Sequence, residues 1–320
     1  MEYSSFLSRV LLMSTLIIAS VAFINYKVDL YGLFDDTTDR SIEVYTNERT
    51  SKYLLSFRYI PENFEGIILG PSLSANLNTE QIEQFKVYNA SIMGANISEL
   101  RYLVENIVQK GNLRFAIICL DPYLTKDHGK KSAMIDPKEY YGALGSTNLF
   151  RTYLFKAVRE WEIAPHKFPK GIINSYGFNN FNLYMADGNP EEKIMQKVRE
   201  NAPESTKIDP LALQELEQTV DYLRSNDIKV FAYFTPVPRQ ILEINKQQYQ
   251  AYQQQIYSAF QKEDIIIDLN TDQYARYTED FNTFIDHGHL SEKGQAFVLD
   301  ELNELLEQHL TTKNERISER

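Results

Sequence analysis

Cysteine is almost absent. Cys119 is the only one in 320 residues, which excludes an internal disulfide framework and any metal site built from several thiolates. Histidine is scarce as well: His128, His166, His287, His289 and His309 are the whole supply, so any imidazole chemistry comes from those five. Positive charge is in deficit. Lys and Arg number 33 against 44 Asp and Glu, a net charge of −11, and the isoelectric point is about 5.1. A surface of that sign repels phosphate backbones, so no nucleic-acid partner is expected. There is no internal repeat and no G-x-G-x-x-G, and Gly129-Lys130-Lys131-Ser132 lacks the upstream glycine of a phosphate loop. No cofactor is expected. Asp286, His287 and His289 lack a further ligand nearby, so no metal is expected either.

What remains is an ordinary globular composition, 43% hydrophobic and 24% charged. One stretch departs from it. Val10 to Ile24 holds only apolar residues plus Ser14, Thr15 and Ser20. With its flanks, residues 6–26, it is long enough to cross a bilayer as a helix. Arg9 precedes it and Asp29, Asp35 and Asp36 follow, which favours the N-terminus inside and the body outside. A cleaved signal peptide is the alternative, but no small-x-small site follows Ile24, so an uncleaved signal anchor is expected. The layout is then an anchor at 1–27, a stalk and helical lead-in at 28–63, a main domain at 64–310, and a flexible tail at 311–320.

Five short apolar runs read as strands: Gly66–Leu69, Lys86–Asn89, Arg114–Leu120, Lys229–Phe234 and Ile265–Asp268. Runs of this kind suit strands covered on both faces. Helical patterns separate them: one capped by Ser98 and stopped at Gly111, one opened by Asp209-Pro210, one spanning Ile241 to Lys262, and one after Ser291. The order implies a three-layer α/β/α sandwich with a mostly parallel five-stranded sheet. Residues 123–207 interrupt the alternation and read as an inserted cap. The ligand site of such a sheet lies at the carboxyl ends of its strands.

Candidate chemistry falls at that edge. The first strand runs into Gly70-Pro71-Ser72, which places a serine hydroxyl at the sheet's carboxyl end, with the free amides of a starting helix beside it. Near the last helix, Asp286 and His289 stand three apart. On one turn that spacing lets the carboxylate meet Nδ1 of the imidazole and leaves Nε2 free to take a serine proton. His287 ranks second. Gly94, in the segment after strand two, can bring a backbone amide to a reacting carbonyl.

These blocks resemble those of the SGNH (GDSL-like) hydrolases. The resemblance covers Gly66 to the last helix and implies Ser72 as nucleophile, Asp286 and His289 as its partners, and the Ser72 and Gly94 amides as oxyanion donors. The anchor followed by Asn25-Tyr26-Lys27-Val28-Asp29-Leu30-Tyr31-Gly32-Leu33-Phe34 is similar to membrane-anchored members that serve alginate O-acetylation and D-alanyl-lipoteichoic acid synthesis. That implies an extracytoplasmic esterase or O-acyltransferase acting on a surface polysaccharide, paired with a membrane-bound O-acyltransferase. Two departures stand out. The first block reads Gly-Pro-Ser. The third block has Leu120-Asp121-Pro122-Tyr123 where the family carries an oxyanion Asn, which leaves Asn96 or an amide to replace it. A catalytically weak accessory protein therefore stays open as a second reading. Asp121, Tyr176 and Tyr184 are candidates for substrate contact. Trp161, Phe178, Asn179, Asn180 and Asn182 supply the aromatic and amide chemistry that holds sugars.

Overall fold

The computed structural model describes residues 2–44, 47–126, 135–163, 172–200 and 206–310. His128, His166, the Gly129–Ser132 segment and the expected tail lie outside the described residues. The chain opens with α1 (Glu2–Val28), α2 (Glu48–Leu55) and α3 (Tyr59–Asn63). It continues through β1 (Gly66–Leu69), α4 (Ser72–Ala75), β2 (Val87–Asn89), α5 (Ile97–Lys110) and β3 (Phe115–Leu120). Four helices follow, α6 (Lys138–Tyr141), α7 (Thr147–Glu160), α8 (Pro190–Glu200) and α9 (Pro210–Ser225). The last elements are β4 (Lys229–Phe234), α10 (Arg239–Ile244), α11 (Lys246–Tyr257), β5 (Ile265–Asp268), α12 (Ala275–Thr278) and α13 (Glu292–Leu310).

The five strands pair in the order β2-β1-β3-β4-β5 and every pairing is parallel. Alternation along the strands splits the apolar side chains between two layers. Ile67, Leu69, Ala116 and Ile118 pack with α5 and α9 through Leu100, Leu103, Leu216 and Val220. Ile68, Ile117, Cys119 and Phe231 pack on α13 through Phe297, Val298 and Leu302. Covering both faces is what lets short strands with no polar face persist. β1 leads to β2 on one side, and α5 carries the chain back across to β3 on the other. The carboxyl ends of β1 and β3 therefore flank the crevice where a doubly wound sheet takes its ligand.

Several local readings change. The residues expected as a stalk are part of the folded body: Leu30, Tyr31, Leu33, Ile42 and Val44 are buried in the main core with Tyr53, Leu54 and Leu55 of α2. Apolar residues at this density bury themselves when a sheet layer is in reach. Asn96, not Ser98, caps α5. Its extended backbone and side-chain oxygen suit the cap, whereas Ser98 is already inside the first turn. The expected helix over Ile241–Lys262 is broken at Asn245, whose Nδ2 donates to Ile241 O and closes α10. The described parts of 123–207 do not form one layer: residues 173–179 fold back on themselves and meet β2 through Asn89 N donating to Tyr176 O, while α7 packs on α1.

Phe231 is fully buried at the centre of the sheet and meets Phe115 edge-on at 6.1 Å. Phe231→Ala should destabilise the fold by about 3–5 kcal/mol, read as a lower urea midpoint at unchanged slope.

Candidate active site

The turn after β1 is dictated by close approach. A Cβ at Gly70 would lie 2.2 Å from Ser74 Oγ and 2.7 Å from Cys119 Cβ, so only glycine fits there. With the chain pinned, Pro71 leads into α4, and Ser72 is its first residue. Ser74 Oγ meets Ser91 Oγ at 2.8 Å, Ile92 N donates to Gly70 O, and Asn89 Nδ2 donates to Ser74 O and Leu77 O. These bonds lay the segment 89–94 directly against the serine turn.

The second half of the site comes from the turn before α13. Phe284 bridges Leu290, and Ile285 N donates to His289 O. Inside this loop Asp286 Oδ1 accepts from Gly288 N at 2.9 Å and from His289 N at 2.8 Å. Its other oxygen, Oδ2, meets His289 Nδ1 at 2.8 Å, and His289 Nε2 meets Ser72 Oγ at 3.1 Å. Asn76 Nδ2 donates to Leu290 O, which ties the serine turn to the histidine turn. The imidazole edge rests on Phe181 at 5.3 Å. Burial pushes the Asp286 carboxyl upward, but the hydrogen bond and charge of His289, with the two amides, more than offset it. Asp286 is held well below the usual carboxylate range. It is ionised at neutral pH and orients the ring with Nδ1 protonated. Nε2 is then the ring nitrogen that faces Ser72 Oγ, the arrangement in which an imidazole can take the hydroxyl proton as it attacks. Cys119 lies close by but is buried, and burial raises its thiol to about 12. It is no competing nucleophile.

The other expected residues divide. Gly94 adopts φ +63° in the exposed turn beside Ser72's loop, a conformation that favours glycine. Tyr184 is near the site. Its hydroxyl donates to Asn179 Oδ1 at 2.7 Å and lies 3.6 Å from Met93 Sδ, and its ring meets Phe181. Asn96 is buried; its Oδ1 accepts from Glu99 N and caps α5, while its Nδ2 has no hydrogen-bond partner among the described residues. Asp121 sits at the end of β3, and its carboxylate accepts from Tyr123 N, holding its own turn. At Tyr176 the carbonyl accepts from Asn89 N at the β2 edge and the ring packs on Phe64. Trp161 ends α7, and no hydrogen bond or ring contact among the described residues joins it to the site.

Sequence reasoning missed Glu48 and Lys52. Glu48 Oε2 accepts from Met93 N at 2.9 Å, next to Gly94. Lys52 is completely buried. Its Nζ pairs with Glu48 at 3.1 Å and donates to Ser91 O at 2.5 Å and Gly177 O at 2.9 Å. The i, i+4 spacing of a Glu and a Lys was the available signal, although such pairs usually sit in water. The groove outside the Asp286–His289 turn has a volume of about 530 Å³ and is lined by Tyr184, Lys193, Gln196, Lys197, Glu200 and the exposed His287.

No family model and no curated protein matches this chain. Solved structures are similar to it, two of them as follows. One is a Streptococcus pneumonia protein provisionally described as a platelet activating factor, 13% identical, covering 81% of this chain and 91% of that one with a TM-score of 0.43. The other is a GDSL-like lipase from Bacteroides thetaiotaomicron, 8% identical, covering 77% and 88% with a TM-score of 0.41. Scores and identities this low carry no argument about activity, which rests on the geometry alone.

Two measurements check this site. Lys52→Met leaves Glu48 unpaired and frees the Ser91 and Gly177 carbonyls, so it should cost about 3–5 kcal/mol of stability. Asp286 has a folded pKa below its ordinary 3.8, so its stabilisation is complete above that value and is lost as the pH falls below it. The stability gap between wild type and Asp286→Asn should therefore be constant at neutral pH and shrink below about pH 4.

Proposed function

We propose that this chain is an SGNH-type serine hydrolase or acyltransferase that works on ester-linked acyl groups outside the cytoplasm. The observation that carries the reading is the hydrogen-bonded run from Ser72 Oγ through His289 to Asp286, at 3.1 and 2.8 Å, on the crevice edge of the sheet. In this reaction Ser72 Oγ attacks the acyl carbonyl while His289 Nε2 takes its proton. The same proton passes to the departing alkoxide, and an acyl-Ser72 ester remains. The amides of Ser72 and Gly94 stabilise the oxyanion. Water, deprotonated by His289, then releases the acid; a sugar hydroxyl in its place receives the acyl group.

The acyl group, acetyl by preference, belongs to a bacterial surface polysaccharide. Support comes from the groove beside Asp286 and His287, whose wall carries Lys193, Gln196, Lys197 and Glu200 along with Tyr184 and Met185. A long-chain lipid needs a continuous apolar wall, whereas a sugar chain takes polar edges and an aromatic face such as Tyr184. Localisation is read from α1: the most apolar 18-residue window within Tyr3–Val28 has a mean hydropathy of 2.1, and none of that window is buried in the protein. Read as a signal anchor, it leaves the body in the periplasm or at the cell surface. The resemblance adds a membrane-bound O-acyltransferase as partner.

One observation favours a second reading, a weakly active or inactive accessory protein that binds polysaccharide or that acyltransferase. Asp121 stands where the family carries an oxyanion Asn, and its carboxylate only accepts hydrogen bonds. An oxyanion hole of amides alone is weaker by about 3–4 kcal/mol where a side-chain donor is lost.

Hydrolysis of 4-nitrophenyl acetate by the purified chain separates the two. Ser72→Ala should abolish the activity and leave the fold intact, and Asp286→Asn should lower kcat by about 10⁴ through the wrong imidazole tautomer. A deletion strain should show altered O-acyl content in its surface polysaccharide. Wild-type activity no greater than that of Ser72→Ala would select the accessory reading.

A further inference from the structure

A second surface has no part in the chemistry. It lies at the junction of α1 with the body, and that junction is built to be stiff. Asn25 is completely buried, with Nδ2 at 3.1, 2.9 and 2.9 Å from the carbonyls of Ala143, Leu144 and Ser146. One turn later Asp29 accepts from the amides of Leu33, Phe34 and Asp35 and pairs with Arg40. α1 therefore continues into the folded body without a flexible joint, and its axis fixes the body's orientation.

The level of that junction can be placed. Tyr3–Val28 comprises 26 residues. At a rise of about 1.5 Å per residue, about 20 of them fill a hydrocarbon core of about 30 Å. The remaining turn and a half lies in the headgroup layer. The body covers α1 only toward that end: Val21, Ala22 and Ile24 are partly buried and Asn25 fully, while Leu7 to Ile18 are exposed. The covering elements are the 143–146 turn and α7.

The outward side of α7 carries large apolar side chains among charged ones, with Arg151, Glu160 and Glu162 exposed beside them. Leu149 and Tyr153 point into the core. Leu154 and Trp161, seven residues apart and so two turns along one face, point outward with 54% and 74% exposure. Tyr141 and Leu144, before the start of α7, and Ile163, after its end, are exposed too. Arg151, exposed, stacks its guanidinium on Phe155. An indole and a phenol beside aliphatic side chains and a cation match the headgroup boundary, where aromatic rings with one polar edge collect.

We infer that the outward face of α7, with Tyr141, Leu144 and Ile163, docks on the surface of the bilayer that α1 crosses, and so sets the orientation of the Ser72 site relative to the membrane. The inference rests on α1 being an uncleaved anchor, not on the chemistry of Ser72. It makes the body a peripheral membrane domain held at two points rather than a head on a loose tether.

Trp161 is the only tryptophan in the chain, so its fluorescence reports this face alone. The full-length protein is reconstituted in phosphatidylcholine–phosphatidylglycerol vesicles with and without lipids brominated or spin-labelled near the headgroup. Trp161 should lose more than half its emission to these lipids and resist quenching by aqueous iodide. The double variant Leu154→Glu, Ile163→Glu, both changes being on the exposed surface, should reverse both effects and keep the wild-type circular dichroism. If the protein floats with the vesicles while Trp161 ignores the lipid quencher and is open to iodide, the docking surface is wrong, the anchor stands, and the face is left for a membrane-protein partner. A chain that does not float with vesicles refutes the anchor, and the docking surface falls with it.

Discussion

A carboxylate that spends one oxygen on the backbone and the other on a ring is the constraint on which this site depends. Asp286 Oδ1 is taken up by the amides of Gly288 and His289, so Oδ2 alone remains for His289 Nδ1. The ring cannot turn without breaking a bond to an ionised acceptor in a partly buried loop, where such bonds are strong. Nε2 is thereby aimed at Ser72, a residue 217 positions away in the chain. Burial alone would push the carboxyl upward; the hydrogen bond and charge of His289, joined by the two amides, keep it ionised.

The fold brings these distant groups together by topology. In a doubly wound parallel sheet the strands all point the same way, and the loops that leave their carboxyl ends share one edge. β1 delivers Ser72 to that edge, β2 delivers the 89–94 segment, and the turn before α13 arrives over them, tied down by Asn76. The support beneath comes from α2. Glu48 and Lys52 reach the Ser91–Met93 backbone, so the region between α1 and the sheet is part of the site's framework.

How much of this was legible depends on whether the signal is local. The five strands announce themselves as short apolar runs, and their ends fall within a residue of the expected places. The Asp286–His289 spacing is legible because both groups sit on one turn and need no knowledge of the rest of the chain. Gly70 could be seen as a turn glycine, but the reason no other residue fits, the approach of Ser74 and Cys119, is tertiary. Lys52 was hidden for the same reason. A lysine in an i, i+4 pair reads as a solvated helix face, and only packing against Ser91 and Gly177 reveals it as buried. Tyr176 and Trp161 have the chemistry of sugar contacts, yet one is committed to the β2 edge and the other lies beyond α7. Residue type in an irregular segment does not fix position.

The central claim is that Ser72 Oγ is a nucleophile activated by His289. Intact-mass spectrometry of the full-length protein after exposure to a fluorophosphonate tests it most directly. The account predicts one adduct per chain, located on Ser72 by peptide mapping, that forms orders of magnitude more slowly in His289→Ala. No adduct, or an equal rate of labelling in His289→Ala, would contradict it.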